Sequence, residues 1–207
     1  MSKIKSIKET VGAATIVAAT KYVDSNKMKE LLNEGINNFG ENRVNDFLVK
    51  YEELSECDIT WHFIGNLQTN KVKKMINKID YLHSLNSIKL AAIIDKYRDI
   101  PLKCFVEVNL TESITKEGMK KEDIYELLEA LKSYKNINVI GLMTMTEPNM
   151  SDIEKMAVFK ELFALKEELN SKGFTSIKEL SMGMSDDYKL ALEANATFVR
   201  LGRILFN

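Results

Sequence analysis

Thr15-Ile16-Val17-Ala18-Ala19-Thr20-Lys21 is a continuous run of small and apolar residues that ends in a lysine. Such a run reads as a strand buried on both faces, as the strands of a parallel sheet are. Asp24 and Ser25 follow as helix-start residues. Lys21 therefore falls where a buried strand gives way to a loop, and in an α/β protein that carboxyl end is where ligands bind. A lysine placed there has an apolar stem and a head facing the pocket. Desolvation disfavours its charged form and leaves an amine able to attack a carbonyl. On this stretch alone, a lysine that merely snorkels into water is the better account; the remainder of the chain shifts that balance.

Working outward, strand-like and helix-like stretches alternate. Ile4, Ile7 and Val11 predict a short helix ahead of the first strand. Met28, Leu31 and Leu32 give the next helix its apolar stripe, and Gly35 ends it. Further strands are read at Ile36–Gly40, Ile59–Ile64, Tyr81–Ser84, Leu102–Asn109, Asn138–Met143, Ile177–Met182 and Thr197–Leu201. Between them run stripes such as Val44/Phe47/Leu48/Tyr51, Val72/Met75/Ile76/Ile79 and Ile124/Leu127/Leu128/Leu131. Asn86 or Ser87 can cap the helix carrying Leu90 and Ile94, Ser151 and Glu154 form a capping-box signature, and Ser185 reads as the N-cap of a helix through Ala194. Eight such alternations predict a single (β/α)8 TIM barrel of the α/β class, one domain over residues 1–207. An open doubly wound sheet is the competitor, but Lys21-Tyr22-Val23 stands where its Gly-rich turn belongs.

Composition narrows the function classes. The chain has 207 residues, 45% hydrophobic and 29% charged, enough for one sizeable core. With a net charge of −1 and no basic block interleaved with aromatics, nucleic acid is not an expected partner. The Lys71, Lys73 and Lys74 cluster is explained as well by a solvated helix face. Cys57 and Cys104 lack any ligand pattern and fit a reducing cytoplasm. No apolar run is long enough for a bilayer, and the N-terminus lacks the apolar core of a signal peptide, so a cytoplasmic location without membrane partners is expected.

A barrel gathers the carboxyl ends of its strands at one mouth. The residues expected there are Lys21, Glu41, Asn42, His62, His83, Asn109, Met143, Ser181 to Ser185, and Arg200 to Arg203. Ser181-Met182-Gly183-Met184-Ser185-Asp186-Asp187 and Gly202-Arg203 occupy the two late loops that hold phosphate in many barrels. Serine hydroxyls, free backbone N–H groups and a helix dipole suit a dianion, and Gly183 and Gly202 allow close backbone approach. Each loop alone is explained by capping and turning; the two together are harder to dismiss. Arg200 points inward, either to salt-bridge a carboxylate such as Glu107 or to meet a ligand group. His62 is better read as a hydrogen-bonded core histidine. Asn42 and Asn109 are balanced between loop anchors and ligand contacts, and Met143, Met182 and Met184 favour packing. A lysine, a phosphate cradle and an arginine at one mouth match pyridoxal 5′-phosphate (PLP), with the lysine forming an aldimine. Schiff-base aldolases usually place their lysine late in the barrel, whereas this one is on the first strand.

Several segments carry a family resemblance: Val17–Lys21, Phe39–Asn42, Trp61-His62-Phe63-Ile64-Gly65-Asn66-Leu67-Gln68-Thr69-Asn70-Lys71, Val108–Leu110, Gly141–Met145, Leu180–Asp187 and Val199–Gly202. With these the sequence resembles the pyridoxal phosphate homeostasis proteins, whose barrel is similar to the N-terminal domain of alanine racemase. The resemblance implies that Lys21 carries PLP as an aldimine. It implies that Ser185, Gly202 and the Arg203 backbone contact the phosphate and that Arg200 partners the pyridine nitrogen. Asn42, Met182, Gly183 and Met184 would line the pocket. The family often has a longer N-terminal helix, a small residue such as Thr at the position of Arg203, and Gly at that of Asn207. Arg203 thus removes a side-chain hydroxyl contact but keeps the backbone one.

The expected role is to bind, buffer and hand over PLP, with PLP-dependent apoenzymes as recipients, no catalytic residues, and a monomeric state. Racemisation needs a base on each face of Cα. The alanine racemase family supplies one from a second domain that is not expected here, because the chain stops after its last strand. A guanidinium that holds its own proton leaves the pyridine nitrogen unprotonated and a poorer electron sink. The alternatives are a weak PLP-dependent amino-acid racemase, and a PLP-free phosphosugar aldolase or plain barrel scaffold.

Overall fold

The computed structural model describes residues 2–111 and 118–206. Its strands are β1 (Thr15–Ala19), β2 (Asn38–Glu41), β3 (Thr60–Phe63), β4 (Tyr81–Leu85), β5 (Leu102–Asn109), β6 (Met119–Lys120), β7 (Ile137–Met143), β8 (Glu179–Met184) and β9 (Phe198–Leu201). They form one parallel sheet in the order β4-β3-β2-β1-β9-β8-β7-β5-β6, and β4 also pairs with β5. That last pairing closes the sheet. The two-residue β6 only extends the end of β5, so the closed body is the expected (β/α)8 barrel.

The helices are α1 (Lys3–Val11), α2 (Ser25–Asn33), α3 (Val44–Glu53), α4 (Val72–Met75), α5 (Ile88–Tyr97), α6 (Ile124–Leu131), α7 (Asp152–Ser171), α8 (Tyr188–Glu193) and α9 (Arg203–Phe206). Local chemistry sets their ends. Asp24 accepts from Lys27 N–H at the start of α2, and Ser87 accepts from Leu90 N–H at the start of α5. Ser151 and Glu154 complete their capping box on α7. The stripe expected as one helix over Val72–Ile79 is only a turn of α-helix between two 3-10 turns. Ser185 does not cap α8; Asp187 holds that position, with Ser185 recruited elsewhere.

Strand parity divides the core into two layers. Val17, Phe105, Met143 and Phe198 fill the barrel interior, with Ile64, Tyr81, Ile140 and Met145 packed against them. The alternate residues, among them Ala18, Phe39, Trp61, Leu82, Val106, Leu142, Leu180 and Val199, face the helices. The interior is not wholly apolar, for His62, His83 and Ser181 are 0% exposed there. These three were expected at the mouth. They lie beneath it because each sits within its strand rather than past the end of it.

Candidate functional site

The β1–β9 pairing builds the site. Val17 is opposite Arg200 and Ala18 opposite Leu201, so the turn after β1 rises beside the loop after β9. One cavity of about 570 Å³ opens there, lined by Lys21, Met184, Ser185, Arg200, Gly202 and Arg203 among others. Its size is ordinary for a small-molecule site.

The turn carrying Lys21 is pinned from below. Lys50, on α3, reaches in to meet Glu41 Oε1 at 2.5 Å and donates to the Thr20 carbonyl at 2.7 Å. Thr20 Oγ1 donates to the same Glu41 oxygen at 2.5 Å. Glu41 and Thr20 are fully buried and Lys50 nearly so. A buried ion pair needs such added hydrogen bonds to offset its desolvation. Lys21 itself departs from the expectation of a dry amine. It is exposed, with Nζ 4.7 Å from the centroid of the Tyr22 ring. The strand stops at Ala19 and Thr20 takes the last buried place, so Lys21 belongs to the turn above the rim.

Opposite that turn, Ser185 Oγ accepts from Gly202 N–H at 3.1 Å and Ile204 N–H at 3.4 Å. The hydroxyl thus ties the loop after β8 to the first turn of α9. The Gly202 and Ile204 N–H groups are thus gathered round one oxygen at the start of a single-turn helix. The Arg203 side chain turns away, pairing with Asp186 at the surface. Buried Asp187 ties the loop after β8 to the loop after β7, accepting from Met184 N–H at 2.6 Å and from Thr146 Oγ1 at 2.5 Å.

Arg200 forms the floor. It is 4% exposed, and its parity with Phe198 turns it inward. Nη1 donates to Ser181 Oγ at 2.6 Å and Nη2 to the Thr144 carbonyl at 2.9 Å. Burial pushes the guanidinium down to about 10, against the opposing pull of Glu107 and Asp187, so it remains a cation at neutral pH.

Beneath Arg200 a chain of hydrogen bonds runs through the barrel. Asn38 Nδ2 donates to Asn37 Oδ1 at 3.0 Å, which turns Asn38 Oδ1 to His62 Nε2 at 2.9 Å. His62 Nε2 then carries the proton, leaving Nδ1 to accept from His83 Nε2 at 2.9 Å. His83 Nδ1 in turn accepts from Ser181 Oγ at 2.8 Å. Every donor has one acceptor if both imidazoles are neutral. Burial drives both that way, with His62 lowered to about 3 by burial and then by Lys103, and His83 lowered well below its ordinary value by burial, then by His62 and Arg200. His62 stacks on Tyr81 and His83 on Phe105, each with centroids 4.4 Å apart.

The remaining expected residues lie outside the cavity lining. Met182 faces the helices, one residue out of parity with Ser181, and is 0% exposed. Gly183 has φ +89°, and a Cβ there would come within 2.5 Å of Ala191 Cβ, so it serves the close approach of α8. Asn42 borders a separate cavity with Arg43, Phe63, Asn66 and Lys71. Asn207 lies outside the described residues. Sequence reasoning missed Lys50 and Lys155, both buried lysines on helices. The polar interruption of an apolar helix face is the one signal that marks Lys50; nothing local marks Lys155. Among the described residues no metal-binding cluster occurs, and no helix is long and apolar enough to cross a membrane.

Comparison with known proteins bears on this geometry. The family described as alanine racemase, N-terminal domain, matches residues 2–207. A pyridoxal phosphate homeostasis protein of Aquifex aeolicus is 39% identical over 93% of this chain and 86% of its own. One from Synechocystis is 35% identical over 92% of this chain and 89% of its own. The structure of PipY from Synechococcus elongatus with PLP bound superposes with a TM-score of 0.93 at 29% identity, covering 99% of this chain and 98% of that one. A lysine/ornithine decarboxylase from Vibrio vulnificus, 14% identical with a TM-score of 0.79 over 98% of this chain and 60% of its own, shares the fold alone.

Proposed function

The chain belongs to the family of the alanine racemase N-terminal domain, and on that premise we propose that it binds pyridoxal 5′-phosphate in PLP homeostasis rather than turning over amino acids. The observation that carries this reading is the single cavity in which Lys21, Ser185, Gly202 and Arg200 meet. The homeostasis name borne by the relatives and the PLP in PipY support it.

The residues fit the cofactor. Its three polar ends are an aldehyde, a phosphate and a pyridine nitrogen. The cavity offers an amine at the rim, a hydroxyl with backbone N–H groups gathered round it, and a buried guanidinium on the floor. When bound, the cofactor supplies an aldehyde that condenses with a primary amine. Lys21 is that amine, held in place by the Thr20–Glu41–Lys50 cluster. Ser185, Gly202 and the Arg203 backbone would hold the phosphate. Arg200 would be the residue to meet the ring nitrogen, and it keeps its own proton, since even lowered to about 10 it is a cation at neutral pH. It would therefore withhold the proton that makes the ring a strong electron sink. Met184 lines the wall. Asn42, Met182 and Gly183 support the loops and strands from outside the lining.

The whole chain acts as one domain in this role, a cytoplasmic monomer that passes PLP to apoenzymes and binds neither nucleic acid nor membrane. The test is a visible spectrum of the protein with PLP before and after borohydride reduction, followed by peptide mapping. The expected result is a lysine-bound chromophore fixed on Lys21 and lost in Lys21→Ala. An unchanged chromophore in that variant would overturn the assignment. Fast Cα–H exchange of a free amino acid that depends on Lys21 would promote the racemase reading in its place.

A further inference from the structure

The cavity holds a second lysine besides Lys21. Lys155, in the first turn of α7, is 9% exposed and lines the same cavity. Among the described residues its ammonium has no hydrogen-bond or ion-pair partner. The other cations around the cavity are committed. Lys27 pairs with Glu30 at 2.5 Å, Arg203 pairs with Asp186, and Arg200 donates to Ser181 and Thr144. Lys21 lies against the Tyr22 ring. Lys155 thus has a mostly packed side chain and offers the cavity a charge that is not already spent on a neighbour.

The topology shows which anion. Around the barrel the order is β1-β9-β8-β7. Lys21 follows β1 and Lys155 follows β7, so the two amines flank the loops after β8 and β9 from opposite sides. Those loops carry Ser185, Gly202 and the start of α9, all of which act through neutral hydroxyl or N–H groups. A phosphate monoester dianion seated there finds hydrogen bonds but no formal positive charge from them. The one side chain of the cradle that could supply charge, Arg203, is spent on Asp186 at the surface. We propose that Lys155 is the charge partner of the phosphate in this chain, making the pocket selective for a phosphorylated aldehyde over the free aldehyde. The proposal rests on the PLP reading for its ligand, but the anion seat can be probed apart from it.

The experiment compares wild type with Lys155→Met, which keeps the apolar stem, and Lys155→Arg, which keeps the charge. Affinities for PLP and for pyridoxal are measured by the lysine-bound absorbance, and thermal midpoints are recorded with and without inorganic phosphate. The expected result is a tenfold or greater loss of PLP affinity in Lys155→Met with pyridoxal affinity within twofold of wild type, and partial recovery in Lys155→Arg. Inorganic phosphate should raise the midpoint of wild type and not of Lys155→Met. An unchanged ratio of PLP to pyridoxal affinity would overturn the role of Lys155 and leave the PLP reading standing. If wild type binds no PLP at all, that reading fails, and inorganic phosphate alone decides. A midpoint shift lost in Lys155→Met supports the charge partner, and equal or absent shifts in both proteins overturn it.

Discussion

Arg200 Nη1 donates to Ser181 Oγ at 2.6 Å, and that hydroxyl passes its own proton to His83 Nδ1 at 2.8 Å. The floor of the cavity is therefore oriented from inside the barrel, by buried groups outside the cavity lining. Ser181→Ala leaves a buried guanidinium N–H and a buried imidazole nitrogen without partners. The expected cost is about 1–3 kcal/mol in urea unfolding. The bound-cofactor absorbance should shift as Arg200 loses its fixed direction. Stability and spectrum both unchanged would show that the Thr144 carbonyl alone orients Arg200.

The two neutral imidazoles make stability depend on pH in a stated direction. His62 is lowered from 6.5 to about 3 in the fold, and His83 is also well below its ordinary value. Between about pH 3 and 6.5 the unfolded chain binds protons that the folded chain refuses. Stability from this source is present above pH 6.5 and is lost as pH falls toward 3. The slope approaches about 1.4 kcal/mol per pH unit for each histidine. Urea midpoints at pH 7, 6 and 5 check this; a flat midpoint across that range would contradict the burial of neutral rings.

Lys50→Met removes one half of the ion pair under the Lys21 turn and strands a fully buried carboxylate. The expected loss is about 3–5 kcal/mol, measured by chemical unfolding. The double change Lys50→Met with Glu41→Gln should recover part of it, because the stranded charge is gone.

Gly183→Ala forces a side chain onto a backbone at φ +89° and into Ala191 on α8. Destabilisation of more than about 1 kcal/mol is expected. Because Met184 and Ser185 follow directly, phosphate-dependent binding should weaken along with stability, and an equal thermal midpoint would remove the packing role given to this glycine.

How far these residues were legible depends on whether their cause is local. The run ending at Lys21 has the composition of a doubly buried strand, and the strand is there. Arg200 could be read as inward because Phe198, two residues earlier, shares its face. The same rule, applied from Ser181, would have excluded Met182 from the pocket, but register at the end of β8 is bent between Ser181 and Met184 and hides the parity. Ser185 looked like a cap because a serine before a helix usually is one; here Asp187 takes the cap and frees the serine hydroxyl for Gly202. Lys50 and Lys155 were illegible for another reason. Locally Lys50 shows only as a polar interruption of an apolar face, its role being set by a partner on a neighbouring strand, and Lys155 is defined by the lack of a partner, which no nearby residue signals.

The pairing of β1 with β9 has a consequence for biosynthesis. Lys21 emerges from the ribosome early and Ser185 and Gly202 late, and they become neighbours only when the final strand docks against the first. A growing polypeptide has no cavity shared by these residues before its ring of strands is sealed. Ligand that recognises only the sealed form also stabilises it by mass action. A ligand held by both groups would therefore stabilise only chains whose two ends have met.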